Sequence, residues 1–321
     1  MTRYIIRRLI YVVGVMLAVT FVAFVIFFLL PSSDPAVTFA GRNPTPELVA
    51  QVKEQLGLDK PWPVQYVLYV KRLVLGDEYG WPGFGLSYNT RSPVHDEIFQ
   101  RAKVTLTLAI GGAILWLLIG IPIGVISALK RRTWVDRSAM GFALVGVSAP
   151  VFWLGLVALW VFWQQLGWLP GTGYVEFTDS PSQWFLHMIM PWSVLAILFA
   201  AIYARVTRGN LIDTMSEDYI RTARAKGLSE QRVVTRHGLR AGLTPIITLL
   251  GIDLALLVGN SVVTETVFNL PGLGNYVLVS TNNGDLPAVL AVVVLAAFAV
   301  AILSLISDIA YAYLDPRVRY T

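Results

Sequence analysis

LIYVVGVMLAVTFVAFVIFFLL, residues 9–30, runs for 22 residues without a charged side chain. An apolar run of about 18 residues or more is long enough to cross a bilayer as a helix. Arg3, Arg7 and Arg8 precede the run and Pro31 ends it. A secretory signal peptide also starts basic and then turns apolar. Its core is usually only ~7–15 residues, however, and a small-residue cleavage site follows. This run is longer and no such site follows directly, so it reads as an uncleaved first membrane span.

Five more runs of this kind lie downstream, at about 104–129, 139–164, 188–206, 245–267 and 288–313. The third is interrupted by Ser148-Ala149-Pro150. Across the whole chain of 321 residues, 55% are hydrophobic and 14% charged, against roughly 25% charged in a soluble domain. The expected fold is all-α: a polytopic membrane protein of six transmembrane helices. The expected divisions are 1–30 (N-terminus and first span), 31–103 (a region outside the membrane) and 104–321 (a core of five spans). The core carries a polar segment at 207–243.

Charge sets the orientation. The N-terminus, the 130–137 loop, the 205–243 segment and the C-terminus hold 3, 4, 8 and 2 Lys/Arg. The loops at 166–187 and 269–287 hold none. Positive charge in short loops marks the cytoplasmic side, so both termini and segment 207–243 are expected in the cytoplasm of a bacterial or archaeal cell. Region 31–103 is expected outside. It carries eight basic and eight acidic residues. The net charge of +5 is thereby explained by topology: the lipid bilayer is the expected partner, and nucleic acid is not.

Within 31–103, Thr45-Pro46-Glu47 has the form of a helix start and Gly57 of its stop. Pro63 opens a second helix towards Gly76, with Tyr66, Val70 and Val74 on a helical repeat. YGWPGFGLSY, residues 79–88, reads as a loop.

Several chemistries are excluded. The chain has no cysteine, hence no disulfide or thiolate metal site. No G-x-x-x-x-G-K-[ST], H-E-x-x-H or G-x-S-x-G motif occurs. The topology separates His95 and His187 from His237, so the three cannot share a metal. No catalytic or metal residue and no cofactor is expected in this chain.

Segment 207–243 is too long for a plain turn. Glu217 and Asp218 suit a helix N-terminus, and Arg224 and Lys226 suit its end. Tyr219, Ile220, Ala223 and Leu228 supply a partly apolar face. Gly227 suits the left-handed position that ends helices, and Ser229-Glu230 a second helix start. Two short helices about a glycine form a knob whose small residues, Thr222, Ala223 and Ala225, could enter a partner's groove. An amphipathic helix lying on lipid headgroups fits the same residues.

Polar groups inside the spans form a second set of candidates. An Asp at the centre of a spanning helix costs roughly 2.5–3.5 kcal/mol on insertion scales, so it should face protein or water. Asp253 lies well inside the fifth run, where it reads as a pathway or gate residue or as an interhelical hydrogen-bond partner. Asp308 lies near the inner end of the sixth. Asn260, between Gly259 and Ser261, offers substrate contact or close packing. Ser148 and Pro150 should bend or unwind the third run.

The chain resembles a known family along nearly its whole length. Thr222-Ala223-Arg224-Ala225-Lys226-Gly227-Leu228, followed by Arg236-His237-x-Leu239-Arg240 and Pro245, resembles the cytoplasmic "EAA" loop of ATP-binding-cassette importer permeases, in the dipeptide, oligopeptide and nickel branch. Further resemblance lies in Tyr4-x-x-Arg7-Arg8-Leu9, Leu56-Gly57-Leu58-Asp59-x-Pro61, Ser148-x-Pro150-x-Phe152-Trp153, Leu169-Pro170-x-x-Gly173, Glu265-x-x-Phe268-x-x-Pro271-Gly272-x-Gly274 and Leu314-Asp315-Pro316-Arg317. Two departures are visible. Arg221-Thr222-Ala223 stands where the general motif has Glu-Ala-Ala, and an aromatic loop enlarges the region after Gly76-Asp77.

The resemblance implies a permease subunit of an ATP-driven importer that forms half of the pathway for di- or oligopeptides. Residues 217–228 would form the coupling helix, with Asp218, Tyr219, Arg221, Thr222, Ala223, Arg224, Ala225, Lys226 and Gly227 meeting an ATPase. The external loop would carry Glu265, Phe268, Pro271, Gly272 and Gly274, where a binding protein delivers solute. Expected partners are a second, homologous permease, two ATPases and an extracellular substrate-binding protein. ATP and Mg would be bound, and ATP hydrolysed, on the ATPases. The alternative is a self-sufficient secondary transporter or channel, which calls for intramembrane charge relays or inverted repeats.

Overall fold

The computed structural model describes residues 2–30, 36–37 and 45–314. Pro31 and residues 315–321, with the Asp315–Arg317 part of the C-terminal motif, lie outside them. Among the described residues the regular structure is helical; only two isolated β-bridges, Asp77 to Gly80 and Leu86 to Pro93, break the pattern. The chain divides into two compact units. One comprises Thr2–Thr105 with Pro271–Ile302, the other Leu106–Leu270 with Leu303–Thr321.

The first unit begins with α1 (Thr2–Phe24), whose last turn, Val25–Leu29, widens to π-helical. Next come α2 (Pro46–Leu56) and α3 (Trp62–Leu75). Both end as expected, at Gly57 and Gly76 with φ of +69° and +88°. The packing face of α3 differs from the expected one: Val74 is 63% exposed. Tyr66 of the expected repeat does pack, and with Tyr69 it lies on Phe24 of α1; the Tyr66 hydroxyl donates to the Leu17 carbonyl. Flat rings a helical turn apart give more contact with another helix than valines do, and the tyrosine hydroxyl can satisfy a backbone acceptor.

The 79–88 loop is built around Asp77. Its carboxylate accepts from the backbone N–H of Tyr79, Gly80 and Gly85. The far end of the loop is held by buried Asp285, which accepts from the Ser87 hydroxyl at 2.5 Å and the Tyr88 N–H at 3.0 Å.

The long helix α4 (Val94–Leu129) starts well before the second apolar run. Its first turns are amphipathic. Val94 and Ile98 are buried against Leu273 and Tyr276 of α12 (Leu273–Asn282) and against Ala288 and Ala291 of α13 (Leu286–Leu314). On the other side, Glu97 pairs with Arg101. Such a pattern extends a helix into water without lengthening its apolar run.

The second unit holds residues 106–129 of α4 and then α5 (Trp134–Ser148) and α6 (Val151–Ala158, continuing π-helically over Leu159–Gln165). These two helices meet at a bend of 98°, so the third apolar run is a broken element. Ala149 and Pro150 are extended at the break, with ψ of 126° and 135°. A proline lacks the N–H that would continue the helix and pushes the preceding residue out of helical geometry. Trp153, Trp160, Trp163 and Trp168 are all at least half exposed, as expected of side chains at a lipid boundary.

Helix α7 (Pro181–Met215) has 35 residues and reaches about 52 Å, well beyond a hydrocarbon core of about 30 Å. It is followed by α8 (Asp218–Ala225), α9 (Glu230–Gly242, π-helical over Val233–Gly238), α10 (Thr244–Asn260) and α11 (Val262–Val267). The fifth run is therefore also interrupted, at Ser261. Helices α1, α4, α7 and α13 are each long and apolar enough to cross a membrane. The α5–α6 and α9–α10 pairs bring the number to six if each bent pair is one span.

Candidate functional site

Segment 217–230 is shaped by three local devices. The first is a small core: Ile220, Ala223 and Val233 are buried together, and Met215 and Leu228 pack against them. Residues 220 and 223 lie one turn apart and give α8 an inward stripe. Tyr219, Thr222 and Lys226 fall on the outward side and are exposed. This corrects two expectations. Ala223 lies inside the knob and cannot enter a partner's groove, whereas Tyr219, expected on the apolar face, points outward.

The second device is the helix end. Gly227 has φ of +75°. The Gly227 N–H donates to the Arg224 carbonyl at 2.9 Å and the Leu228 N–H to the Ala223 carbonyl at 3.4 Å. This double bond pattern is the Schellman motif, and Leu228 makes the apolar contact that accompanies it. A side chain at Gly227 would meet open space, so the constraint there is backbone geometry alone.

The third is an ion pair across the turn. Arg224 donates through Nε and Nη2 to the two Glu230 carboxylate oxygens at 3.0 and 2.7 Å. Glu230 was expected only to favour a helix start; it clamps α8 to α9. Ser229 sits at the start of α9 but makes no side-chain cap bond. Asp218 is exposed and accepts from Arg221 at 3.2 Å, and the Thr222 hydroxyl donates to the Asp218 carbonyl. Ala225 is exposed. Burial, and then the Glu217 carboxylate, push the Tyr219 phenol above its ordinary range, so it stays neutral at physiological pH.

The knob is continuous with α7. A Cβ at Gly238 would fall 2.8 Å from Met215 Sδ and 3.3 Å from Leu211 Cδ1, so α9 rests on the end of α7 where a side chain would hold it off. Seven residues before Met215, at Arg208, lies a further anchor. Buried Asp136 of α5 accepts from Arg208 of α7 and from Ser127 of α4. This triad was not foreseen. Asp136 stands in a basic loop, where it reads as one acid among several bases.

The candidate path residues divide. Asp253 of α10 accepts from the Tyr203 hydroxyl of α7 at 2.8 Å, and it lines a cavity of about 380 Å³ together with Val151, Phe152 and Ser261. Ser148 and Pro150 do not line it, although their break delivers Val151 and Phe152 to its wall. The Ser148 hydroxyl is spent on the Leu144 carbonyl of its own helix. Asn260 closes α10; its side chain lies outside the description.

The expected external loop is not one loop. Glu265 lies in α11, fully buried, and accepts from the Ser261 hydroxyl at 2.7 Å. Phe268 is 1% exposed, and its carbonyl accepts from the Gly173 N–H. Pro271 is exposed, whereas Gly272 and Gly274 are buried at the start of α12. Short apolar and small residues around Pro-Gly read as surface loop, but four of these five positions are buried.

Residues 120–320 match the family described as binding-protein-dependent transport system inner membrane component, and residues 1–109 match its N-terminal part. The chain is 38% identical over 317 residues to a probable peptide ABC transporter permease protein of Sinorhizobium fredii, covering 99% of each chain. It is 36% identical over 340 residues to the dipeptide transport system permease protein DppB of Alkalihalophilus pseudofirmus, covering 100% of each. It is 39% identical over 320 residues to a glutathione transport system permease protein of Salmonella choleraesuis, again covering 100% of each. Among solved structures, a chain of the MetNI methionine ABC transporter has a similar fold, with TM-score 0.55 and 18% identity over 70% of this chain and 98% of that one.

Proposed function

The chain belongs to the family of binding-protein-dependent transport-system inner-membrane components, and from that premise we propose that it carries peptides across the membrane under the control of ATPases that dock on segment 217–230. It is a multi-pass membrane subunit of an importer and not itself an enzyme. The proposed cargo is a di- or oligopeptide, as the names of two of the relatives above suggest; the glutathione relative keeps a modified tripeptide within the same class. The complex would contain a second, homologous permease, two cytoplasmic ATPases that bind ATP and Mg, and an extracellular binding protein. Both termini and the knob would face the cytoplasm, in keeping with the charge of the short loops.

One observation supports coupling through the knob above the rest. Helix α8 buries Ile220 and Ala223 beneath it and is locked to α9 by Arg224 and Glu230. It also follows directly on a helix longer than the membrane is thick. A rigid body on a stiff stalk passes a push at its tip to the spanning helices without absorbing it in loop motion. A helix whose task was to lie on lipid would need a broad apolar face turned outward, and α8 turns its apolar side chains inward.

The test is reconstitution of this chain with its partner permease and both ATPases in proteoliposomes. ATP hydrolysis stimulated by peptide-loaded binding protein, with peptide uptake that stops when ATP is withheld, is the expected result. Uptake by this chain alone, driven by an ion gradient, would favour the secondary-transporter reading.

A further inference from the structure

Two interruptions of helix in the second unit, the extended break at Ala149-Pro150 and a one-residue irregularity at Ser261, border one cavity. After the first break, Val151 and Phe152 start α6; at the second, Ser261 separates α10 from α11. All three line the same space of about 380 Å³. Non-helical backbone at membrane depth is tolerated where it borders protein or a cavity, and a volume of this size is within the range of small-molecule sites.

The walls are apolar except at a few points. Phe199 and Leu256 complete the apolar lining, and Thr264 and Ser261 bring hydroxyls. The Ser261 hydroxyl is committed to Glu265. Asp253 is the one ionisable side chain among the described residues of the lining. Its Oδ2 accepts from Tyr203, a side chain that is itself fully buried. A carboxylate offers about four acceptor sites. The phenol takes one and fixes the orientation of the group, which leaves the other oxygen for a donor in the cavity.

We propose that this cavity is a solute site and that Asp253 receives the ammonium group of a peptide or related amine as it crosses. The proposal rests on the importer reading and adds the chemistry of recognition within the membrane. An ionised carboxylate in an apolar wall favours a cation over a neutral group of the same shape. Phe152 and Phe199 line the same space, and an aromatic lining suits a cation. A carboxylate kept only to join two helices would have no reason to border an open volume where two helices break.

Two variants separate recognition from packing. Asp253→Asn keeps the shape and the acceptor for Tyr203 but removes the charge; Tyr203→Phe removes the hydrogen bond but keeps the charge. In proteoliposomes holding the whole complex, with dialanine as solute, Asp253→Asn is expected to lower the maximal uptake rate at least about tenfold, while Tyr203→Phe stays within about threefold. The affinity of the separate binding protein for dialanine does not change. Equal losses in the two variants, or none in Asp253→Asn, would overturn the site.

A second measurement does not depend on transport. Carbodiimide labelling of Asp253 in the purified complex is expected to slow in the presence of the quaternary cation N,N,N-trimethylalaninamide, which has no amine to attack the activated carboxyl, and not of neutral N-acetylalanine methylamide. Equal protection by both, or protection by neither, counts against the proposal. A wild-type complex that takes up no dialanine, but in which the quaternary cation alone protects Asp253, would fault the peptide reading and leave the cation site standing.

Discussion

Arg208 donates to both carboxylate oxygens of Asp136, from Nε at 2.6 Å and from Nη2 at 2.8 Å. The same carboxylate accepts from the Ser127 hydroxyl and the Arg132 N–H. One 4%-exposed aspartate thus ties α4, α5 and α7 at the end of the bundle that carries the knob. Removing Arg208 strands the buried Asp136 carboxylate, and removing Asp136 strands the Ser127 hydroxyl and the Arg132 N–H; because Arg208 is itself 26% exposed, the cost stays below the roughly 3–5 kcal/mol of a fully buried pair. Arg208→Ala is therefore expected to lower the thermal unfolding midpoint of the complex in detergent clearly, with Asp136→Ala comparable. The double variant should lose less than the sum of the two, which a double-mutant cycle will read directly.

Gly227 makes a sharper test of the knob. Its left-handed backbone costs a residue with a Cβ about 1–2 kcal/mol, and a β-branched side chain suffers most. Nothing stands in the way of a side chain there, so the effect is purely conformational. Gly227→Val is expected to reduce ATP-coupled uptake, while Gly227→Asn, which tolerates this geometry, retains most of it. Full uptake by the valine variant with normal assembly would rule out a role for the left-handed turn at Gly227.

The Arg224–Glu230 pair should behave differently. Both side chains are well exposed, at 41% and 59%, so solvent and salt screen the attraction and its worth to stability is below about 1 kcal/mol. Arg224→Ala should leave the unfolding midpoint almost unchanged. If the clamp stiffens the link, the variant will hydrolyse more ATP per peptide imported, and more so at low salt, where the wild-type pair is strongest.

In the first unit, buried Asp285 holds Ser87 and Tyr88. Asp285→Ala leaves that hydroxyl and N–H without their acceptor, which costs about 1–3 kcal/mol for each buried group left unsatisfied. Faster tryptic cleavage after Arg91, with the membrane core intact, is the expected result. Unchanged digestion would show that Asp77 organises the loop unaided.

Much of this architecture could be read from residue order. Apolar length identified the spans, and loop charge gave an expected orientation. Pro150 marked a break, and Gly57, Gly76 and Gly227 marked helix ends through the backbone angles they alone adopt cheaply. What could not be read is what depends on pairing across long separations. Asp136 with Arg208, Tyr203 with Asp253, and Ser87 with Asp285 are 72, 50 and 198 positions apart, and no local pattern announces which acid meets which donor. Burial within short motifs was equally hidden. Ala223 is small enough for a knob's surface and for its core alike, and only its neighbours Ile220 and Val233 decide. Glu265 has the charge of a surface residue, yet the Ser261 hydroxyl one turn earlier gives it a buried partner.

The central claim is that the outward stripe of α8 meets an ATPase. The chain has no cysteine, so a single Ala225→Cys change creates one defined attachment point on that exposed stripe. In the assembled complex, a short bifunctional cross-linker is predicted to join this position to an ATPase subunit, with a yield that changes when ATP is added. Labelling by a membrane-embedded lipid probe, with no ATPase cross-link in either nucleotide state, would contradict it.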